Sequence, residues 1–133
     1  MCISSLKQFI DSKRPKRPAN AYVSFPGFES LYVRHGFHNI EGNLTETLDL
    51  ANIKASCPGN GAFSNLVDWI FDNYPNTIIF VENVMNPRFD DKLIRMEFIR
   101  IGDSQPYCYW KRIKNRHELH RNHDISRIDG PRS

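Results

Sequence analysis

The sequence predicts a single domain of mixed α and β structure, built on a mixed, twisted sheet. A chain of 133 residues suits one domain with one modest core. Its hydrophobic content of 40% and charged content of 25% are ordinary for a globular protein. In the middle of the chain, an apolar strand pattern, a helix pattern and a second apolar strand pattern follow one another, which is the order of a βαβ unit. These observations favour the α/β or the α+β class.

A short helix and an extended arm are predicted at the start of the chain. Residues 4–12 carry apolar side chains at the i, i+3, i+4 spacing of one helical face. The stretch KRPKRPANAY, residues 13–22, is predicted to be a linker or an arm, because Pro15 and Pro18 oppose a helix interior.

Two strands paired as a hairpin are predicted next. Residues 29–40 begin with the apolar run LYV, and EGN at 41–43 is a turn signal. In residues 44–55, the side chains on one face are Leu44, Glu46, Leu48 and Leu50. Asn52 interrupts this pattern, which favours a β-bulge there.

The second half of the chain alternates helices and strands. Residues 62–74 are predicted to be a helix whose apolar face holds Phe63, Leu66, Val67, Ile70 and Phe71. Residues 76–84 form a continuous apolar run, which is typical of a buried and parallel strand. A further helix is predicted over 86–96, because Asn86 can cap it and Pro87 suits its first position. Residues 98–101 and 107–112 are predicted to be short strands, and aromatic residues there are expected to pack in the sheet.

Composition excludes several classes of protein. Cys2, Cys57 and Cys108 are odd in number and have no CxxC spacing, so neither a disulfide framework nor a structural zinc site is expected. No apolar run approaches the ~20 residues that span a bilayer, and the N-terminus does not resemble a secretory signal. A cytoplasmic protein without membrane contact is therefore predicted. His117, His120 and His123 recur every three residues but lack supporting ligands, so no metal site is predicted.

The chain has two basic clusters, 13–17 and 111–123, for which the sequence allows two roles. The net charge of +3 is too weak to indicate nucleic-acid binding by itself. The clusters are either solvated terminal segments or a docking surface for nucleic acid or an acidic partner.

The loop SCPGNG, residues 56–61, lies between a predicted strand and a predicted helix. The first N–H groups of a helix have no intrahelical partner, and the macrodipole adds about half a positive charge. Gly59 and Gly61 allow positive φ and a close approach to the backbone. The loop therefore predicts either an anion site or a simple tight turn.

This loop and the helix after the next strand together resemble the GNAT family of N-acetyltransferases. The family's cofactor loop reads Arg/Gln-x-x-Gly-x-Gly/Ala, and residues 56–61 match both of its small positions. The family's later Asn-x-x-Ala-x-x-x-Tyr-x-x-x-Gly-Phe pattern is matched at its ends by Asn86 and Phe98. The resemblance covers about residues 44–98 and is strongest to small GNAT-like proteins of tailed phages.

The resemblance implies an α/β, single-domain GNAT-like acyl-CoA N-acyltransferase fold with a splayed sheet flanked by helices. It divides the chain into a domain over 1–112 (helix and arm 1–27, core 28–112) and a basic, polar tail over 113–133. It also implies acetyl-coenzyme A as cofactor. The residues expected to bind it are Ile53, Lys54, Ala55, Cys57, Pro58, Gly59, Asn60, Gly61, Ala62 and Asn86. In this picture pantetheine pairs with the strand backbone at 53–55, the pyrophosphate binds the loop N–H groups, and Asn86 hydrogen-bonds the pantetheine arm.

Two residues are candidates for the general base of the reaction. Glu82 is the first candidate for the general base, because it lies at the end of the apolar strand near the expected splay. Asp49 is the second candidate. Glu82 could instead point outward or form a salt bridge, and Asp49 could instead be a solvent-facing strand residue. Ser56 and Leu93 depart from the family pattern, where Arg or Gln and a proton-donating Tyr are usual.

Two functions follow from these expectations. The first is an acetyltransferase that transfers the acetyl group of acetyl-coenzyme A to an unknown amine. If a phage encodes the enzyme, it would act in the cytoplasm of the bacterial host, and a host protein is one candidate acceptor. The second is an inactive GNAT-fold protein that binds and inhibits or redirects a host protein or a nucleic-acid enzyme. The departures at Ser56 and Leu93 motivate the second function.

Overall fold

A mixed, open sheet of six strands organises the chain, in the order β1-β2-β3-β4-β6-β5. The computed structural model describes residues 3–12, 19–104 and 106–113. In chain order, the elements are α1 (Ser4–Asp11), β1 (Asn20–Tyr22), β2 (Phe28–Ile40), β3 (Asn43–Ala55), α2 (Ala62–Asn73), β4 (Ile79–Val84), α3 (Pro87–Arg95), β5 (Ile99–Ile101) and β6 (Tyr107–Lys111). The α/β class and the order of the long elements are confirmed.

The hairpin of β2 and β3 is the longest pairing in the sheet. Glu41 and Gly42 connect the strands, with φ of 53° and 87°. Positive φ at both central positions is the geometry of two-residue turns that match strand twist. The predicted bulge is confirmed, because β3 has one extra residue, Ala51, between two consecutive pairs with β2. Leu44, however, is 76% exposed at the far end of the hairpin.

One short strand corrects the sequence analysis. Asn20–Tyr22 was predicted to belong to a linker or arm, but it forms β1 and pairs antiparallel with β2. The three residues contain no proline, so each can donate to the ladder. Tyr22 also packs on Tyr32 of β2, with ring centroids 4.6 Å apart. The remainder of the predicted arm, residues 13–18, lies outside the described residues, as do Cys2 and the histidines of the tail from 114.

The larger hydrophobic core lies on one face of the sheet, and α1, α2 and α3 all contribute to it. The apolar face predicted for α2 is confirmed, since all five of its predicted side chains are buried. In β4, Ile79 and Val81 belong to this core, whereas Phe80, with Ile78 just before the strand, belongs to a second, smaller cluster. Because alternate residues of a strand point to opposite faces, the two clusters lie on opposite sides of the sheet.

The aromatic residues of β6 pack within these clusters, as predicted. Tyr109 is fully buried in the larger core, and Trp110 is buried in the smaller cluster. The Tyr109 hydroxyl donates a 2.6 Å hydrogen bond to Asp90 of α3. This bond connects the sheet to α3, one wall of the site described next.

Candidate functional site

Two neighbouring parallel strands separate near the middle of the sheet. The ladder between β3 and β4 consists of the pairs Leu48↔Ile79, Asp49↔Phe80 and Leu50↔Val81. Past the last pair, β3 continues to Ala55 and β4 to Val84, and both continuations line one cleft. Backbone groups on the facing edges are not used by the ladder there, so an extended ligand can hydrogen-bond to them as an added strand would.

A bulge in β4 lies directly at this divergence. Between Val81 and Val84, β4 has one more residue than the opposing part of β6. Both valines remain buried in the larger core. Asn83, within the bulge, has a φ of 55°, a left-handed conformation that asparagine tolerates better than most residues. The extra residue therefore turns Glu82 and Asn83 toward the cleft without removing Val84 from the core.

The glycine loop closes the same cleft from the side of α2. Gly59 and Gly61 have φ of 85° and 81°, and Gly61 is the N-cap residue of α2. A Cβ at either position would meet no atom within 4 Å, so the backbone conformation and not crowding requires glycine. No described side chain caps α2. The N–H groups of its first turn are consequently available to an anion.

The resulting cleft has a volume of about 790 Å³ and is lined by β3, the glycine loop, β4 and α3. This volume is in the range of pockets that bind small molecules and cofactors, which is roughly 300–1,000 Å³. Most predicted cofactor-binding residues line it: Ile53, Ala55, Cys57, Pro58, Gly59, Asn60, Gly61, Ala62 and Asn86. Cys57 is an exposed, free cysteine there.

Lys54 and Asn86 differ from the other residues that were predicted to bind the cofactor. Lys54 is not among the cleft-lining residues, and its Nζ lies 2.9 Å from the Glu29 carboxylate. Asn86 caps α3 as predicted, because its Oδ1 accepts the Arg88 N–H at 2.9 Å. Its contact with a cofactor stays a prediction, and this contact would use the N–H donors of its side-chain amide.

Helix α3 supplies positive charge that the sequence analysis missed. Arg88, Lys92 and Arg95 all line the cleft. They follow one another at i, i+4 and i+7, which places them along one face of the helix. None of them has an ion-pair partner among residues 3–12, 19–104 and 106–113. The cleft therefore has a cationic wall as well as the N-terminus of α2.

The two predicted catalytic carboxylates come together where the strands diverge. Glu82 lines the cleft, and its carboxylate forms an ion pair with the Arg34 guanidinium. Arg34 Nε also lies 3.4 Å from Asp49 Oδ2. The hydrogen bond to Glu82 raises the pKa of Arg34 above its ordinary value, so the guanidinium stays charged and bridges both carboxylates.

Asp49 is buried, with only 1% of its surface exposed, and both of its carboxylate oxygens have hydrogen-bond partners. The Thr47 hydroxyl donates to its Oδ1 at 2.6 Å, and His38 Nε2 lies 2.9 Å from its Oδ2. The His38 ring stacks on Phe80 with centroids 3.6 Å apart. Asp49 therefore holds a histidine and an arginine in fixed positions next to the end of the cleft.

A glycine makes room for this carboxylate. A Cβ at Gly36 would lie 2.2 Å from Asp49 Oδ2 and 2.7 Å from its Cγ. Gly36 is on β2, between Arg34 and His38 and on the same face as both. The glycine thus belongs to the cluster, because no other residue type leaves space for the observed Asp49 position.

The cluster also has the composition of a cation site. One ligand atom from each of His38, Asp49 and Glu82 lies within 4.8 Å of the others. Imidazole and carboxylate are common metal ligands. Arg34, however, already supplies a cation to both carboxylates, so a metal ion would have to displace it.

Sequence reasoning missed Arg34, His38 and the α3 cations, although each left a signal. Residues 34, 36 and 38 alternate along a predicted strand, and the two-residue turn places that strand opposite 45–49. A register argument through the turn would have brought the Arg and His beside Asp49. A helical wheel of 86–96 would have shown the cationic face.

Comparison with known proteins gives no identification: no family model, no curated protein and no solved structure matches the chain. None of the helices in the described ranges is long and apolar enough to cross a membrane. The candidate function therefore depends on the geometry of the cleft and its cluster.

Proposed function

We propose that this chain is an acetyl-coenzyme A-dependent N-acetyltransferase with a GNAT-type fold. The observation that carries the proposal is the end of the β3–β4 ladder at Leu50↔Val81, beside a glycine loop that opens a helix. A gap between parallel strands offers backbone hydrogen bonds to the amide-containing pantetheine arm. The adjoining helix N-terminus offers N–H groups to a pyrophosphate. The two features adjoin a single cleft, as one ligand with both groups requires.

The cofactor would lie along the divergence. Its pantetheine amides would pair with β3 near Ile53 and Ala55, and its pyrophosphate would bind the N–H groups of residues 57 and 59–62, since Pro58 has no N–H. The thioester would then point toward the last strand pair, where Glu82 lines the end of the cleft. Holding the thioester in this position supplies much of the catalysis, because the reaction becomes effectively unimolecular.

The transfer itself is a direct acyl transfer. The nitrogen of a neutral amine attacks the thioester carbonyl carbon, the C–S bond breaks, and coenzyme A leaves as a thiolate. Glu82 accepts the proton lost by the amine, because it lines the cleft whereas buried Asp49 does not. Asp49 acts behind it by holding Arg34, which positions the Glu82 carboxylate.

Calorimetric titration with acetyl-coenzyme A tests the cofactor assignment. Gly59→Trp fills the open space before the loop and should weaken binding by at least about tenfold, or about 1.4 kcal/mol. Gly42→Trp is a matched control, since Gly42 also has positive φ, 87°, and open space but lies in the hairpin turn. No binding at millimolar cofactor, or equal losses in both variants, would refute the assignment.

A second candidate function is a GNAT-fold protein that binds the cofactor without transferring its acetyl group. The supporting observation is Leu93, which stands at the position of the family's proton-donating tyrosine and is fully buried in the core. Release of free thiol from acetyl-coenzyme A in the presence of an amine panel separates the two functions. Tight binding with no release above the rate of the Glu82→Gln variant would favour the binding protein.

A further inference from the structure

The cationic face of α3 has no partner that explains it. Arg88, Lys92 and Arg95 face the cleft and form no ion pair with a described residue. Lys92 and Arg95 lie in the last turn of α3, where cations stabilise a helix. Arg88 lies in the first turn, where a cation opposes the helix dipole. Helix stability therefore does not account for Arg88, and a ligand in the cleft would.

The charge in the cleft exceeds what a pyrophosphate needs. The glycine loop and the uncapped N-terminus of α2 already form an anion site from backbone groups. The cations of α3 form a separate wall, contributed by another element of the same cleft. Glu82, the anionic side chain in the lining, pairs with Arg34 and with none of the α3 cations, so it is not the counter-charge of this wall. A second phosphate group on the same ligand would supply the counter-charge of this wall.

We infer that Arg88, Lys92 and Arg95 form a phosphomonoester subsite that recognises the 3′-phosphate of coenzyme A. A phosphomonoester carries a charge of about −1.5 to −2 near neutral pH and three acceptor oxygens, which suits several converging cations. The inference rests on the proposed function, because it names a group of the same cofactor. It adds a specificity: the protein discriminates coenzyme A from its 3′-dephospho form.

The spacing of the three side chains allows them to reach a single phosphate group. At 1.5 Å rise per residue, Arg88 and Arg95 begin about 10 Å apart along the helix axis. Long, flexible arginine and lysine side chains can converge from this spacing onto a single group, as in other basic clusters. Salt should weaken the discrimination, since Arg88 and Arg95 are exposed.

The test is a set of calorimetric titrations of the full chain with coenzyme A and with 3′-dephospho-coenzyme A. The wild type should bind coenzyme A on the order of tenfold more tightly. In the triple variant Arg88→Gln, Lys92→Gln, Arg95→Gln the ratio of the two affinities should fall to about one, and it should also fall at 1 M salt. Glutamine keeps the helix propensity, so the variant should fold. Lys7→Gln is a control, because Lys7 is a cation of α1 that pairs with Asp11 and does not line the cleft.

Adenosine 3′,5′-bisphosphate separates failure of the subsite from failure of the proposed function. If this probe binds through the α3 cations while neither form of coenzyme A binds, the acetyltransferase proposal is wrong and the phosphate subsite stands. Equal affinities of the wild type for the two coenzyme forms would overturn the subsite alone. An unchanged ratio in the triple variant would overturn it as well, and binding of none of the three ligands would overturn both proposals.

Discussion

Replacing Gly36 with alanine should break the cluster around Asp49. The added Cβ would lie 2.2 Å from Oδ2, 2.7 Å from Cγ and 2.8 Å from Oδ1 of Asp49. Every one of these atoms belongs to a buried side chain held by hydrogen bonds from Thr47, His38 and Arg34. The carboxylate must therefore move, and it cannot move without losing some of these bonds.

The sign of the change in the free energy of unfolding distinguishes this clash from an effect of backbone propensity. Gly36 is not in the positive-φ region, so alanine is not strained there. On propensity alone, Gly→Ala in a strand would stabilise the protein by about 0.5–1 kcal/mol. Each hydrogen bond to a charged group contributes about 1.5–3 kcal/mol. Loss of one or two bonds gives a net decrease in the free energy of unfolding of about 2–4 kcal/mol.

Urea denaturation of the full chain measures this difference. With an m-value of about 2 kcal/mol/M, the midpoint should fall by about 1–2 M. A second substitution supplies the control: in an Asp49→Ala background the carboxylate is gone, and Gly36→Ala should cost little. The coupling between the two changes should reach about 2–3 kcal/mol. A Gly36→Ala variant as stable as the wild type, or additive effects of the two changes, would refute the described position of Asp49.

Further predictions concern the base, the core and the helix cap. Glu82→Gln should lower acetyl transfer by about 10²–10⁴-fold with little change in calorimetric cofactor affinity, and a fully active variant would exclude Glu82 as the base. Tyr109→Phe should lose about 1–2 kcal/mol of stability at pH 8, because its hydrogen bond to Asp90 is lost. Burial of Tyr109, together with that hydrogen bond, raises its pKa to about 12. The stabilisation is therefore complete below the tyrosine pKa of the unfolded chain, about 10, and is lost as the pH rises through 12. Urea midpoints of the two proteins that do not converge over this pH interval would contradict the assignment. Asn86→Ala should cost about 1 kcal/mol through the lost cap of α3, measured by denaturation, and a neutral result would show that the cap contributes nothing.

The parts of the fold that were predicted correctly depend on local signals. The face of α2 follows from helical periodicity, the α3 start from Asn86 and Pro87, and the β2–β3 turn from the sequence EGN. The bulge beside Asn52 was also visible in the sequence, because it interrupts an alternating pattern. The short strand β1 was missed because pairing with an existing edge, and not its own propensity, makes it a strand.

The candidate site could be predicted only in part. The glycine loop is contiguous in sequence, so its role was accessible from residues 56–61 alone. The cluster joins Arg34, Asp49 and Glu82 from three strands, and its contacts require the register of β2 and the end of the β3–β4 ladder. Solvent exposure of Asp49 was left open by the sequence, and its burial results from the partners that surround it. Such contacts depend on tertiary packing, which no local pattern encodes.

Amide hydrogen exchange with and without coenzyme A tests the central claim most directly, namely that the cofactor lies between β3 and β4. Cofactor binding should add protection to two sets of amides: Ile53 and Ala55 of β3, whose N–H groups point away from β2, and residues 57 and 59–62 of the glycine loop. Amides of the β2–β3 turn at Glu41 and Gly42 should be unchanged. Cofactor binding that leaves both sets unprotected would contradict the claim.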